Sequence, residues 1–240
     1  SKTAYSSMMS YSSYSSGGGG GGGGFISSNL VLHLDASNSS SYSGSGTTWT
    51  DLTGKGNDGT LINGVSYVPN TNRGYFDFDG TNDRVDFSTY VQPAYTSSTS
   101  FTWFIWIYPF ETNNNDVIMG NRNISGSNVW TKLTPKRFEW NYPDHMNEDG
   151  SGTNVTTNQW QNICITKNGS SFTYYKNGSS AETMTSTHSK NYTNPFYLGG
   201  DPTYGENPQC RISMVAVYDI ALTAAEVLQN YNALKGRFGF

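Results

Sequence analysis

The closing stretch, Cys210 to Phe240, constrains the fold more than any other: CRISMVAVYDIALTAAEVLQNYNALKGRFGF. In its first half Ile212, Met214, Ala216 and Tyr218 alternate with Val215 and Val217. Both sets are largely apolar, which predicts a strand covered on both faces, central in its sheet. The period then changes. Thr223 stands as an N-cap, and Glu226 three residues on completes a capping box. Leu222 and Val227 have the spacing of a hydrophobic staple. Val227, Leu228, Tyr231 and Leu234 make an apolar stripe at helical spacing, and Gly236 fits the C′ position that ends the helix. One short, well-capped helix in a chain otherwise rich in strands should close the fold.

The remaining apolar segments repeat the strand signal. Leu30, Leu32 and Leu34 alternate with Val31 and His33, where His33 reads as a satisfied strand histidine rather than a ligand or base. Phe76 and Phe78 alternate with Asp77 and Asp79, Asp79-Gly80 turns the chain, and Val85 and Phe87 resume. This predicts a hairpin with one face buried. Phe101 to Tyr108 is apolar on both faces and predicts a central strand. Shorter strands are expected at Val117–Met119, Val129–Leu133, Arg137–Tyr142, Trp160–Thr166, Phe172–Lys176 and Phe196–Leu198. Asn168-Gly169 and Asn177-Gly178 mark tight turns. About a dozen short strands at turn spacing predict an all-β, two-sheet antiparallel sandwich with one C-terminal helix.

Several segments, in order, resemble the LamG-like, concanavalin A-like jelly-roll domains. They are LVLHLD from Leu30, WTDLTGKGNDGTL from Trp49, FDFDGTND from Phe76, WQNICIT from Trp160, YKNG from Tyr175, YLGG from Tyr197, and the closing strand and helix. The resemblance spans Ser28 to Gly239 and includes members found in phage and virus structural proteins. It implies the sandwich fold; function varies widely on this scaffold, from enzymes to lectins to structural modules.

The domain is expected over residues 25–240, behind an arm of residues 1–24. The arm reads SKTAYSSMMSYSSYSS followed by eight glycines, Gly17 to Gly24. It has too little apolar surface for a core of its own. It is either a flexible tether or a segment that orders on a partner through Tyr5, Met8, Met9, Tyr11 and Tyr14, and the second reading is preferred. Residues 1–5 carry one positive charge and no apolar stretch of the signal-peptide kind. That points to a protein not secreted by the general route, displayed on a virion or extracellular assembly, with other virion or filament proteins and further copies of itself as partners.

Charged residues are only 13% of the chain and the net charge is −4, so there is no basic footprint for nucleic acid. No apolar run is long enough for a membrane span. Cys164 and Cys210 read as two buried thiols, or as one bridge if their strands are neighbours.

The laminarinase-like enzymes of this fold carry E-x-D-x-E or E-x-D-x-x-E on one strand. Glu111, Glu139, Glu148, Glu182, Glu206 and Glu226 are each isolated, so no catalytic residue is expected. Many LamG-like domains hold a structural calcium. Asp79, Asn82, Asp83, Asp116 and Asp219 are hard oxygen donors of the right type but lack a loop-site spacing, and they suit turns equally well. No metal ligand and no other cofactor is expected. For a glycan, Trp130, Trp140 and Tyr142 are the candidate aromatic residues, with Glu139 and Asn141 alternating beside them. Core packing competes for the tryptophans. The sequence thus favours a non-enzymatic display protein, with a secreted or cell-surface carbohydrate-binding module as the alternative.

Overall fold

The computed structural model describes residues 23–70, 72–88, 91, 98–113, 115–122, 130–141, 147–149, 155–187 and 196–240, with backbone only at 122, 130, 141 and 147–149. The arm residues Tyr5, Met8, Met9, Tyr11 and Tyr14 lie outside them, as does Tyr142.

Two antiparallel eight-stranded sheets face each other. Sheet A runs β14 (Ser179–Thr185), β13 (Ser171–Lys176), β12 (Gln161–Asn168), β7 (Phe101–Pro109), β16 (Gln209–Tyr218), β5 (Tyr75–Asp79) and β4 (Ser66–Val68). The second half of β16 also pairs with β1 (Leu30–Asp35). Sheet B runs β11 (Asn147–Asp149), β10 (Phe138–Asn141), β9 (Trp130–Leu133), β8 (Met119–Arg122), β15 (Phe196–Leu198), β6 (Arg84–Phe87), β3 (Gly59–Ile62) and β2 (Thr48–Trp49). The expected all-β sandwich with one C-terminal helix is therefore the observed fold.

The central strands β7 and β16 bury both faces, as their composition requires. Trp103, Ile105, Val215 and Val217 enter the core between the sheets. Phe104, Trp106, Met214 and Ala216 point the other way, into a second apolar cluster. Helix α1 (Ala224–Leu234) covers that cluster, so the molecule has three layers. Trp106 lies flat against Phe238, with ring centroids 3.9 Å apart. No described helix is long and apolar enough to cross a membrane.

The helix cap forms as spaced: Thr223 Oγ1 accepts from the Glu226 amide, and Glu226 Oε2 accepts from the Thr223 amide at 2.7 Å. One expectation about the helix is corrected. Leu228 is 43% exposed, and the buried stripe is Val227, Asn230, Tyr231 and Leu234. Asn230 is fully buried because it closes a polar triangle. Its Nδ2 donates to Tyr218 Oη, its Oδ1 accepts from the Ile26 amide, and Tyr218 Oη donates to the Ile26 carbonyl. The α-helix does end at Leu234 with Lys235 as its C-cap, which puts Gly236 at C′, but Gly236 is not left-handed. The chain continues through a 3-10 turn, Lys235–Phe238, and the left-handed residue is Gly239 at φ 89°.

Two strand expectations also change. Asp79-Gly80 does not close a hairpin. Chain β5 belongs to sheet A and β6 to sheet B, so the turn crosses the core. Phe76, Phe78, Val85 and Phe87 do share one core, but they reach it from opposite sheets. In β16, Ile212 leaves the Met214 face for the inter-sheet core, because a register shift between Ile212 and Met214 reverses the alternation. Ser213 at that irregularity donates to the Gly74 carbonyl.

The cysteines are free and buried, Cys164 in the helix-side cluster and Cys210 in the inter-sheet core. Their strands are separated by β7, so the bridge considered from sequence does not form.

Candidate functional site

The outer face of sheet A is closed by the helix; the outer face of sheet B carries polar side chains. Residues Leu61, Val85, Phe87, Phe196, Leu198, Met119, Leu133, Phe138 and Trp140 fill the inter-sheet core. Strand alternation turns their neighbours outward. The register aligns these in one transverse row: Glu139, Lys132, Gly120, Tyr197, Asp86 and Thr60.

Charge on this row is internally matched. Arg84 meets both carboxylate oxygens of Asp86, at 2.7 and 3.2 Å. Lys132, 2% exposed, donates to the Asn115 carbonyl at 2.6 Å and to Glu206 Oε2 at 3.0 Å, with Glu139 Oε2 at 3.7 Å. Arg137 bonds the other Glu139 oxygen at 3.1 Å. A buried ammonium is tolerated only with such partners. Gly120 is required where it stands: a Cβ there would sit 2.3 Å from the Thr131 carbonyl. The backbone of β9 and the Lys132 side chain fill the space beside it, so Gly120 is itself buried.

Two loops roof one end of this face. Residues 110–113 and 115–118 are joined to residues 206–209 by Val117 N to Glu206 O and Phe110 N to Gln209 O. Asp116 in the first of these loops is buried, and burial raises its carboxyl to about 6. The Glu111 carboxyl, hydrogen-bonded to it, and Glu206 add to the rise, and Lys132 opposes it. Two carboxyls in hydrogen-bond contact differ from a hydrolase pair, whose members stand roughly 5–10 Å apart around the scissile bond.

The loop after β15 reads GGDPTYGEN. Asp201 is buried and its Oδ1 accepts from the Thr203 and Tyr204 amides, at 2.9 and 2.7 Å. That turn holds up Tyr204, which is 48% exposed. Asn207 Nδ2 ties the same loop to the Thr81 carbonyl in the β5–β6 turn. Burial raises the Tyr197 phenol, with Asp86 and Asp201 adding to the rise and Arg84 opposing it.

Trp140 is corrected as a sugar-binding candidate. It is fully buried, its ring 4.9 Å from Phe172 and 6.3 Å from Phe101, with Lys167 Nζ 5.6 Å from its centroid. Trp130 stands two positions before Lys132, opposite Arg122, and its side chain lies outside the described residues. Sequence reading missed Tyr204; the available signal was one aromatic inside a Gly/Pro/Asp loop. Among the described residues no three His, Cys, Asp or Glu side chains gather as a metal site. Of the oxygen donors considered for calcium, Asp79 accepts from Thr81 N and Asp83 from Asp79 N, within their own turn.

No curated protein sequence matches the chain. Solved structures do. Domain 4 of AbnA, a GH43 extracellular arabinanase from Geobacillus stearothermophilus, in complex with arabinotriose, aligns with TM-score 0.68 and 16% identity, over 85% of this chain and 98% of that one. The binding domain of Paraclostridial Mosquitocidal Protein 1 aligns with TM-score 0.63 and 18% identity, over 85% of this chain and 52% of that one. Trypanosoma rangeli sialidase, in complex with the inhibitor DANA, aligns with TM-score 0.61 and 14% identity. That match covers 88% of this chain and 34% of the sialidase. The chain thus spans about half of the toxin structure and a third of the sialidase. At these identities the likeness is one of fold. The family profile of the concanavalin A-like lectin/glucanases superfamily, Laminin_G_3, matches residues 79–228. With more than half of its length matched, the chain belongs to that superfamily.

Proposed function

We propose that the domain is a carbohydrate-binding module which holds glycan on the outer face of sheet B without cleaving it. The observation that carries this reading is Tyr204, an exposed ring fixed by the Asp201 turn in a loop beside the polar row. A sugar is bound by an aromatic face for its C–H surface and by fixed polar groups for its hydroxyls. Tyr204 supplies the first, and Arg84, Asp86 and Tyr197 the second. Support comes from the arabinanase domain, which shares the fold nearly end to end and was solved with arabinotriose. The ion pairs of Glu139 and Asp86 favour binding over proton transfer.

The test is a glycan array with the intact chain, followed by calorimetry on any hit, including arabinan oligosaccharides. Tyr204→Ala should weaken binding by about tenfold or more, the scale of one stacked ring, and leave the melting temperature unchanged. No hit, or hits indifferent to Tyr204→Ala, would overturn the reading. Release of reducing ends from a bound glycan would overturn its non-catalytic part.

The virion setting expected from the sequence has no support from the relatives named above. The arm on which it rested lies outside the described residues.

A further inference from the structure

A hollow lined by both apolar and polar groups lies where β1 meets the loop Asn38–Lys55. Its volume is about 580 Å³, within the range of small-molecule sites. Phe25 and Leu30 give it apolar lining, and Asn38, Ser40 and Thr53 give it amide and hydroxyl groups. The histidine of β1, His33, also lines it.

His33 is the informative residue. It is 8% exposed, and its backbone is fully used: its amide donates to Asp51 Oδ1 at 3.0 Å, and its carbonyl accepts from the Leu52 amide at 2.9 Å. Its ring stacks on Phe25, with centroids 5.2 Å apart. The ring nitrogens have no hydrogen-bond partner among the described residues. His33 is a strand histidine, as expected, and neither ring nitrogen is sealed from solvent, since the ring lines the hollow. Burial lowers its pKa, with Arg237 adding to the effect and Asp35 and Asp51 opposing it. At neutral pH the ring has one N–H donor and one bare acceptor, both needing partners. Asn38 spends its Oδ1 on the Ser40 amide, which leaves its Nδ2 and the Ser40 hydroxyl without partners among the described residues.

The wall that presents these groups is built. Asp51 accepts from His33, Thr53 and Asn57 amides and from the Thr53 hydroxyl, and Asn57 Nδ2 reaches the Val31 carbonyl at 2.6 Å. A loop so braced cannot collapse to satisfy His33.

We propose that this hollow is a second ligand site, for a neutral polyhydroxylated molecule of monosaccharide or disaccharide size. A hydroxyl group both donates and accepts, which is what an uncharged imidazole requires, and Phe25 beside it offers an edge for C–H contact. The site shares no lining residue with the Tyr204 face, so it stands or falls independently of the proposed function.

The test is NMR of the intact chain with labelled histidine, titrated with glucose, galactose, mannose, arabinose, N-acetylglucosamine, maltose and lactose at millimolar concentration. At least one should shift the His33 ring resonances. Ser27→Trp, an exposed cleft-lining position, should abolish the shift without altering the melting curve. By backbone amide shifts of the same chain, His33→Phe, which keeps the stack, should reduce affinity for the same sugar about tenfold, and Tyr204→Ala should leave it unchanged. If no sugar in the set moves His33, or if the shift survives Ser27→Trp, the proposal fails. It also fails if deletion of residues 1–22 alone produces the shift, since the chain's own leading segment would then be the occupant.

Discussion

At the scale of single residues, the carboxyl of Asp116 makes a pH prediction with a definite sign. In the folded chain it keeps its proton to about pH 6, against an ordinary value of 3.8. Between those values the folded state binds a proton that the unfolded state does not, so this group's contribution to stability falls as pH rises through the window. Urea midpoints measured from pH 4 to 7 should show that decline, and Asp116→Asn should flatten it while keeping the hydrogen bond to Glu111. An unchanged slope in the variant would assign the decline elsewhere. Trp140→Ala should cost about 3–5 kcal/mol in the same assay, as a large buried ring lost to a cavity. Such a cost would make loss of glycan binding in that variant a folding effect. The residues also show why sites were harder to read than strands. Trp140 and Tyr204 are both aromatic, and composition cannot say which is inside. Burial decided it: period-two alternation placed Trp140 with Phe138, and a shared face that includes Phe138 is the core face. Tyr204, one of 17 tyrosines in a loop without periodicity, gave no such clue.

Elements were legible where period and caps agree. The helix start at Thr223 could be read from sequence because a capping box is local chemistry, complete within four residues. Thr223→Ala should lower stability by about 1 kcal/mol, measured by chemical denaturation. The helix end was only partly legible, because the chain runs on from Leu234 through a 3-10 turn to a left-handed cap at Gly239, and long-range contacts hold that turn in place. Arg237 binds both oxygens of Asp35 at 2.7 Å and the Asn72 carbonyl, linking the last turn to the first strand. Arg237→Ala leaves a largely buried carboxylate without its cation and should cost about 3 kcal/mol. Charge reversal at both positions should recover part of it. The β5–β6 connection was misread for a different reason. A hairpin and a turn that crosses between sheets present the same alternation to one core, and only partner choice, a long-range property, separates them. The bulge at Ser213 was hidden likewise, since one residue out of register leaves no trace in a strand that is apolar on both faces.

For the whole molecule, the two outer faces make opposite demands. That of sheet A is apolar, with Phe104, Trp106, Cys164, Met214 and Tyr218 all buried beneath α1 and the following turn. That of sheet B is a row of paired charges, which water can solvate where loops do not cover it. Covering most of sheet A is therefore structural, and the proposed Tyr204 site stands on the face that the helix does not cover. The asymmetry can be tested by two truncations. Ending the chain after Asp219 removes the cover and exposes several large rings, an apolar patch of the kind that drives association. That product should bind a hydrophobic dye and elute as aggregate. Replacing Thr203–Glu206 by a short Gly-Ser linker removes the Tyr204 loop while retaining the sandwich. It should stay monodisperse, with a lower melting point from the loss of the Lys132–Glu206 pair and with no glycan binding on the sheet B face. A monodisperse, dye-silent product from the first truncation would mean that the helix is an ornament on a self-sufficient pair of sheets, and the three-layer account of stability would have to be abandoned.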